Sequence, residues 1–229
     1  MTTRARLDRL LTKGGYGVQE IQSAGTAARE SFFPWIGGSI LLDIWCLKRR
    51  NDIGEDNLQD ALREELRQYR FVCLKVKERE YVIFVEAPDS HSQMEKKRYL
   101  REFILSVQGV FSSLLDTQTA VAIGGEVKGS RDIPAAKKAG EELLQYRIFR
   151  KGGCILEEKP EECLEEQKEQ IARSVDAIGA DVGREDYANA RARIETLYIR
   201  DIAQAGSIDL LKRMTVKLSY YFRQKGYEV

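Results

Sequence analysis

The stretch ILLDIWCLKRRND, residues 40–52, decides how the chain folds. Its apolar run over residues 40–47 is nearly continuous, which predicts a central β-strand covered on both faces. One acid, Asp43, interrupts the run, and a charged cluster follows it. We place Asp43 at the end of this strand, solvated or hydrogen-bonded to its neighbours. In that position the carboxylate has a structural role.

From residue 36 to residue 160 the sequence alternates between strand and helix patterns, beginning with this strand. Leucines at helical spacing in EDNLQDALREELRQY predict a helix, and FVCLKVKEREYVIFVE predicts two strands with a turn over residues 77–80. A long amphipathic helix (residues 95–115), a strand (119–125), a helix (135–149) and a strand (154–158) follow. The order β-α-β-β-α-β-α-β predicts the α+β class, and its first six elements match a ferredoxin-like layer, with helices covering one face of a largely antiparallel sheet.

The two ends of the chain carry helical patterns without strands. We assign residues 1–35 to an N-terminal helical linker and residues 161–229 to a helical extension of three helices. Ser207 is placed to cap the third of these helices at its N-terminus. We expect this last helix to connect to a DNA-binding domain missing from the chain, since no turn glycine and no complete second helix follow it in the pattern.

Composition restricts the classes of partner. The 37 basic and 36 acidic residues nearly cancel, which argues against a large surface for nucleic-acid phosphates. Four scattered cysteines without a C-x-x-C pair, and one histidine, argue against a zinc site and indicate reduced, buried thiols and a cytoplasmic protein. The most apolar window is broken by Pro, Gly and Asp and falls short of the roughly 20 residues that cross a bilayer, so we expect no membrane partner.

The residues DIWCLKRRND resemble the first-strand signature of GGDEF (diguanylate cyclase-like) domains, D-I-D-x-F-K-x-x-N-D. The segment KEREY, residues 77–81, lies where that family has G-G-D-E-F, and TAVAIGG resembles its S-I-G strand. The resemblance implies a nucleotide-cyclase-like palm. The positions that keep the family pattern are Asp43, Lys48, Asn51, Asp52, Glu80 and Tyr81.

The sequence departs from the family pattern at the positions that carry catalysis. In active members, a first-strand acid and a hairpin acid hold magnesium against a nucleoside triphosphate, and two glycines let the backbone approach it. Here Trp45 replaces the second acid of D-I-D, residues 77 and 78 replace the glycines, and Arg79 replaces an acid. We therefore expect no enzyme activity, no cofactor, and in Asp43 only a vestigial metal position. Lys48, Asn51, Asp52 and Glu80 are the candidates for binding a ligand.

The segment AAKKAGEELLQYRIFRKGGCILEE resembles one group of this family more narrowly. It is similar to A-x-x-A-L-x-Y-R-F-F-x-G-K-G-x-I-I in YesN-type response regulators and related AraC-type activators. In these proteins a degenerate GGDEF-like region lies between a receiver domain and two helix-turn-helix motifs. The resemblance covers residues 36–229 and implies an excised middle segment, or a protein that lost its ends.

Three functions follow from these patterns. The first is a catalytically inactive regulatory and dimerising module of a bacterial two-component or AraC-type transcriptional regulator, which reaches DNA only through a domain absent from this chain. We expect its homodimer to form through flanking helices, at residues 7–11 and 194–218. The second is a small-ligand sensor that uses the eroded nucleotide cleft. The third is an active diguanylate cyclase.

Overall fold

A computed structural model of the chain describes residues 19–22, 38–46, 55–86, 92–129, 131–161 and 163–227. The chain divides into two compact units, Met1–Glu158 and Lys159–Val229. The first unit is of the α+β class, with a mixed sheet and helices, and the described part of the second is helical. None of the described helices combines the length and the apolar character that crossing a bilayer requires.

The apolar stretch that begins at residue 40 forms a strand in the interior of the sheet. The described strands are β1 (Gln19–Gln22), β2 (Ser39–Cys46), β3 (Phe71–Lys77), β4 (Glu80–Glu86), β5 (Thr119–Val127) and β6 (Ile155–Leu156). The strand β2 pairs antiparallel with β4 on one side and with β5 on the other. Side chains alternate between the two faces of a strand, and here both faces are covered, so nearly every residue of β2 is buried.

The order of these strands across the sheet is β1-β3-β4-β2-β5-β6. All neighbours pair antiparallel except β5 and β6, which are parallel. Residues 78 and 79 form the turn between β3 and β4, as the charged segment predicts. The strand β1 was not expected from the sequence, because it lies within the segment assigned to a helical linker.

Two helices cover one face of the sheet. They are α1 (Glu55–Glu65) and α2 (Gln93–Leu115), and α2 begins with a capping box in which Ser92 and Glu95 bond to each other's backbone N–H groups. Leucines of α1 and aromatic and aliphatic residues of α2 pack with alternate residues of the strands in one large core, which includes Leu42 and Ile44. This face therefore supplies most of the apolar burial of the first unit.

A third helix, α3 (Ile133–Leu144), covers the opposite face. Ile133 and Ala136 pack in a second apolar cluster with Leu41 and residues of β3 and β4. The approach is close at Gly124 of β5, where an added Cβ would lie 2.3 Å from the carbonyl oxygen of Ala136. The sequence predicts one helix over residues 135–149, but the α-helix ends at Leu144 and a 3₁₀ helix, Gln145–Phe149, follows it.

The second unit contains three helical segments, as the sequence predicts. They are α4 (Glu165–Gly183), α5 (Tyr187–Thr196) and α6 (Ile208–Gln224), and α5 continues through a π-helical segment, Leu197–Ile202, and a turn, Ala203–Ala205. The Ser207 side chain accepts a hydrogen bond from the Leu210 N–H, so the predicted N-cap is confirmed. The expectation that no turn glycine follows the last helix is wrong, because Gly226, with a φ of +83°, follows the C-cap residue Lys225.

Candidate functional site

The acid singled out by the sequence, Asp43, lies in the middle of a buried strand. It is the fifth of the eight residues of β2, and its neighbours across the sheet are Val82 and Ala122. The expected position at the strand end is therefore wrong, and so is solvation, because the residue is fully buried. The strand extends past Asp43 because Ile44, Trp45 and Cys46 continue the ladder with β5.

The partner of Asp43 comes from the helix above it. The Lys137 ammonium donates a hydrogen bond to Oδ2 of Asp43 over 2.5 Å, and only 5% of the lysine side chain is exposed. The same ammonium lies 3.3 Å from the Glu141 carboxylate, which is 52% exposed and follows one helical turn later. Lys137 thus joins a buried acid to an acid at the surface.

A glycine allows helix α3 to approach the strand at this point. A Cβ added at Gly140 would lie 2.9 Å from the Cβ of Asp43 and 3.4 Å from Oδ2. Real Cβ atoms do not come so near to another carbon, so a larger residue here would push the helix and strand apart. The absence of a side chain at Gly140 therefore positions Lys137 within hydrogen-bonding distance of Asp43.

The electrostatics of the pair are dominated by burial. Loss of hydration raises the pKa of Asp43 from 3.8 to about 6, while the charge and hydrogen bond of Lys137 lower it and the charges of Glu80 and Glu141 raise it. Oδ1 of Asp43 has no hydrogen-bond partner among the described residues. Lys137 therefore holds the carboxylate ionised at neutral pH against a strong desolvation penalty.

Trp45, two residues after Asp43 on β2, also contacts the segment that follows α3. It lies on the same face as Asp43, and the Arg147 guanidinium lies 4.2 Å from the centre of its ring. Arg147 belongs to the 3₁₀ helix and also donates to the Leu144 carbonyl oxygen. A cation over an indole face is a favourable contact, so both Asp43 and Trp45 contact residues 133–149.

The hairpin tip is an ion-paired turn next to the end of β2. The Lys77 ammonium lies 2.9 Å from the Glu80 carboxylate, and this contact, more than any other, raises the pKa of Lys77. The Cys46 N–H donates to the Arg79 carbonyl oxygen over 2.9 Å, which ties the tip to β2. The tip residues therefore engage one another and the neighbouring strand.

The other predicted site residues can be placed only in part. Lys48, Asn51 and Asp52 lie outside the described residues, and Glu80 is the hairpin acid just described. Across the described ranges, no group of three His, Cys, Asp or Glu side chains is arranged to hold a metal ion. At Asp43, a cation would meet a carboxylate whose charge Lys137 already balances. The donor set at Asp43 therefore does not fit a magnesium ion, which requires several oxygen ligands.

Sequence reasoning missed Lys137 and Gly140, although a signal for both was present. The buried residues of α3 recur at helical spacing, and Lys137 and Gly140 lie within that apolar stripe. A lysine within an apolar stripe indicates a buried partner of opposite charge, because an isolated buried ammonium is strongly destabilising.

Comparison of the chain with family models, with curated proteins and with solved structures finds no match.

Proposed function

We propose that this chain is a catalytically inactive, dimerising relay module of a bacterial transcriptional regulator of the two-component or AraC type. It resembles the degenerate GGDEF-like region of such proteins. In this role it transmits a change of arrangement and performs no chemistry, and contact with DNA belongs to another domain. Its cellular location is then the cytoplasm.

The topology of the first unit supports a palm of the nucleotide-cyclase type. The elements from β2 to β5 follow the order β-α-β-β-α-β, and β2 lies between β4 and β5 with β3 outside β4. A ferredoxin-like layer has this order of elements, with its first strand in the interior of the sheet. The two helices within this set, α1 and α2, lie together on one face, as such a layer requires.

The observation that carries the proposal is the use of the two signature positions on β2. In an active cyclase of the GGDEF family, the acid at the position of Asp43 helps to hold a metal ion at the substrate, and a second acid of the strand signature stands at the position of Trp45. Here the Asp43 carboxylate is buried against Lys137, and Trp45 packs under Arg147. Both contacts hold residues 133–149 on the sheet. In this chain both positions join a helix to a strand, which suits a rigid scaffold.

A relay module must move as a rigid body, and the contacts of α3 with the sheet make the first unit rigid. The ion pair and the close approach at Gly124 and Gly140 fix the third helix on the sheet of the first unit. A change imposed on one element of such a packed layer is passed to the others, because packed interiors deform little. The relay then works by shifting the balance between two arrangements of a dimer.

Two measurements test this function together. The chain is fused to a DNA-binding domain that represses a reporter gene only as a dimer, and repression is expected. The purified chain is incubated with GTP and Mg²⁺ and analysed by chromatography, and no cyclic dinucleotide is expected. Formation of cyclic dinucleotide would contradict the inactive assignment, and absence of repression by a well-expressed fusion would contradict the dimerising role.

A further inference from the structure

Helix α6 presents one continuous solvent-facing side. Its inner side is occupied, since Leu210 and Leu218 are buried within the helical unit. The outer side contains Val216 and Tyr220, which are 70% and 58% exposed although apolar or aromatic. With about 3.6 residues per turn, six exposed residues fall on this side, here called the α6 face. They are Asp209, Lys212, Arg213, Val216, Tyr220 and Arg223.

The order of charges along the α6 face is self-complementary. When two copies of the helix pack antiparallel with Val216 opposite itself, Asp209 of each copy faces Arg223 of the other. In the same register Lys212 faces the Tyr220 ring of the other copy. An acid opposite a base at each end, a cation opposite an aromatic ring, and an apolar centre favour association with the same face.

We propose that the α6 face binds the α6 face of a second copy of this chain, antiparallel about a two-fold axis at Val216. The inference rests on the dimeric module proposed above. It assigns the dimer contact, which the sequence placed within residues 194–218, to the α6 face. Such an interface is isologous, because each copy contributes the same residues. Leu218 lies outside it, since that side chain is buried within its own unit.

The ion pair between Asp209 and Arg213 on this face does not oppose the arrangement. Arg213 lies 2.8 Å from Asp209 one turn away, and both side chains are well exposed. Exposed pairs of this kind contribute little, so Asp209 can share its charge with an arginine of the second copy. A helix of 17 residues is about 25 Å long, and one helix pair buries less than a standard interface. We therefore expect a concentration-dependent dimer with a dissociation constant of about micromolar order.

The test reverses the charges singly and then mixes the variants. Sedimentation equilibrium of the full chain measures dimerisation of Asp209→Arg alone, of Arg223→Asp alone and of an equimolar mixture. Each variant alone places like charges opposite each other twice, so its dissociation constant is expected to rise about tenfold or more. In the mixture both facing pairs are attractive, and the heterodimer is expected to form at native concentrations. Arg191→Asp, at an exposed position of α5, is the matched control and is expected to leave dimerisation unchanged.

A substitution at the axis gives a second, independent readout. Val216→Glu places two carboxylates against each other and is expected to give monomers, while Ile199→Glu, at an exposed position of the π-helical segment, is expected to leave the dimer intact. Circular dichroism verifies that each variant is folded. A native dimer that all three α6-face variants leave unchanged overturns this surface but leaves the dimeric relay standing. A native chain that is monomeric at every concentration overturns both.

Discussion

Replacing Lys137 with methionine removes the cation that balances Asp43 and keeps a long apolar stem of similar size. The Asp43 carboxyl group is then enclosed by Val82, Ala122 and helix α3 without a counter-charge. Removing one partner of a buried pair is destabilising, because the other charge stays buried. In this site Asp43 can avoid the isolated charge only by binding a proton.

Proton uptake sets the size of the effect. The native pair, with the pKa of Asp43 raised from 3.8 to about 6, already costs the folded state about 3 kcal/mol at neutral pH. If Asp43 is protonated in the folded state, the free energy of unfolding at pH 7 falls by about 4 kcal/mol, because the unfolded carboxyl group loses its proton near its ordinary pKa and each pH unit above it counts about 1.4 kcal/mol. Breaking a buried ion pair lowers the free energy of unfolding by about 3–5 kcal/mol when the remaining partner keeps its charge. We therefore predict that Lys137→Met lowers the free energy of unfolding by about 1–4 kcal/mol at pH 7.

The pH dependence of this loss distinguishes it from ordinary packing damage. In the variant, Asp43 is protonated when folded and ionised when unfolded, so between pH 8 and pH 6 stability rises by about 1.4 kcal/mol for each unit that pH falls. In the native chain the pKa of Asp43 is raised to about 6, so proton binding by Asp43 contributes to the free energy of unfolding. This contribution is complete below the ordinary pKa of 3.8 and is lost as pH rises through 6. Above that pH the contribution of Asp43 is flat. The difference between variant and native chain should therefore shrink as pH falls from 8 to 6.

Urea unfolding followed by tryptophan fluorescence measures this difference in the first unit, because both tryptophans of the chain, Trp35 and Trp45, belong to it. The matched control is Lys138→Met, the next lysine of α3, which is 78% exposed and should change stability by less than about 0.5 kcal/mol. Adding Asp43→Asn to Lys137→Met should remove the pH slope. A Lys137→Met variant as stable as the Lys138→Met control, with no slope, would refute the ion pair.

Two further substitutions test the packing and the capping. Gly140→Ala should destabilise the first unit by about 1–3 kcal/mol, measured by the same fluorescence assay, because its Cβ would lie 2.9 Å from the Cβ of Asp43. Gly109→Ala in α2, where an added Cβ meets nothing within 4 Å, should instead be neutral or stabilising by up to about 1 kcal/mol, and equal effects at the two sites would contradict the close approach. Ser207→Ala should lower the stability of the second unit by about 1 kcal/mol, followed by circular dichroism, and retention of full stability would argue against the cap.

The sequence was sufficient where a local pattern sets the structure. The apolar run of β2, the charged turn between β3 and β4, and the N-cap at Ser207 follow from spacing and residue type, and the structure contains each of them. The three helices of the second unit follow from periodicity in the same way. These features depend on neighbours within a few residues, which is the range that a sequence pattern can report.

The sequence was insufficient where distant residues meet. Asp43 and Lys137 are separated by 94 positions, and an acid among apolar residues gives no indication of which cation will reach it. The acid within the apolar run was therefore placed at the end of the strand, although β5 pairs with every residue of β2 that follows Asp43. The glycine that ends α6 was overlooked for another reason, because helical periodicity alone does not mark where a helix stops.

The central claim is that the Asp43 carboxylate forms an ion pair with Lys137 and holds no metal ion. A titration of the Asp43 carboxyl carbon by nuclear magnetic resonance, with and without Mg²⁺ and GTP, tests it most directly. The account predicts a pKa of about 6, and a resonance that Mg²⁺ and GTP leave unchanged at neutral pH. A pKa at the ordinary value, or a resonance that shifts when Mg²⁺ and GTP are added, would contradict it.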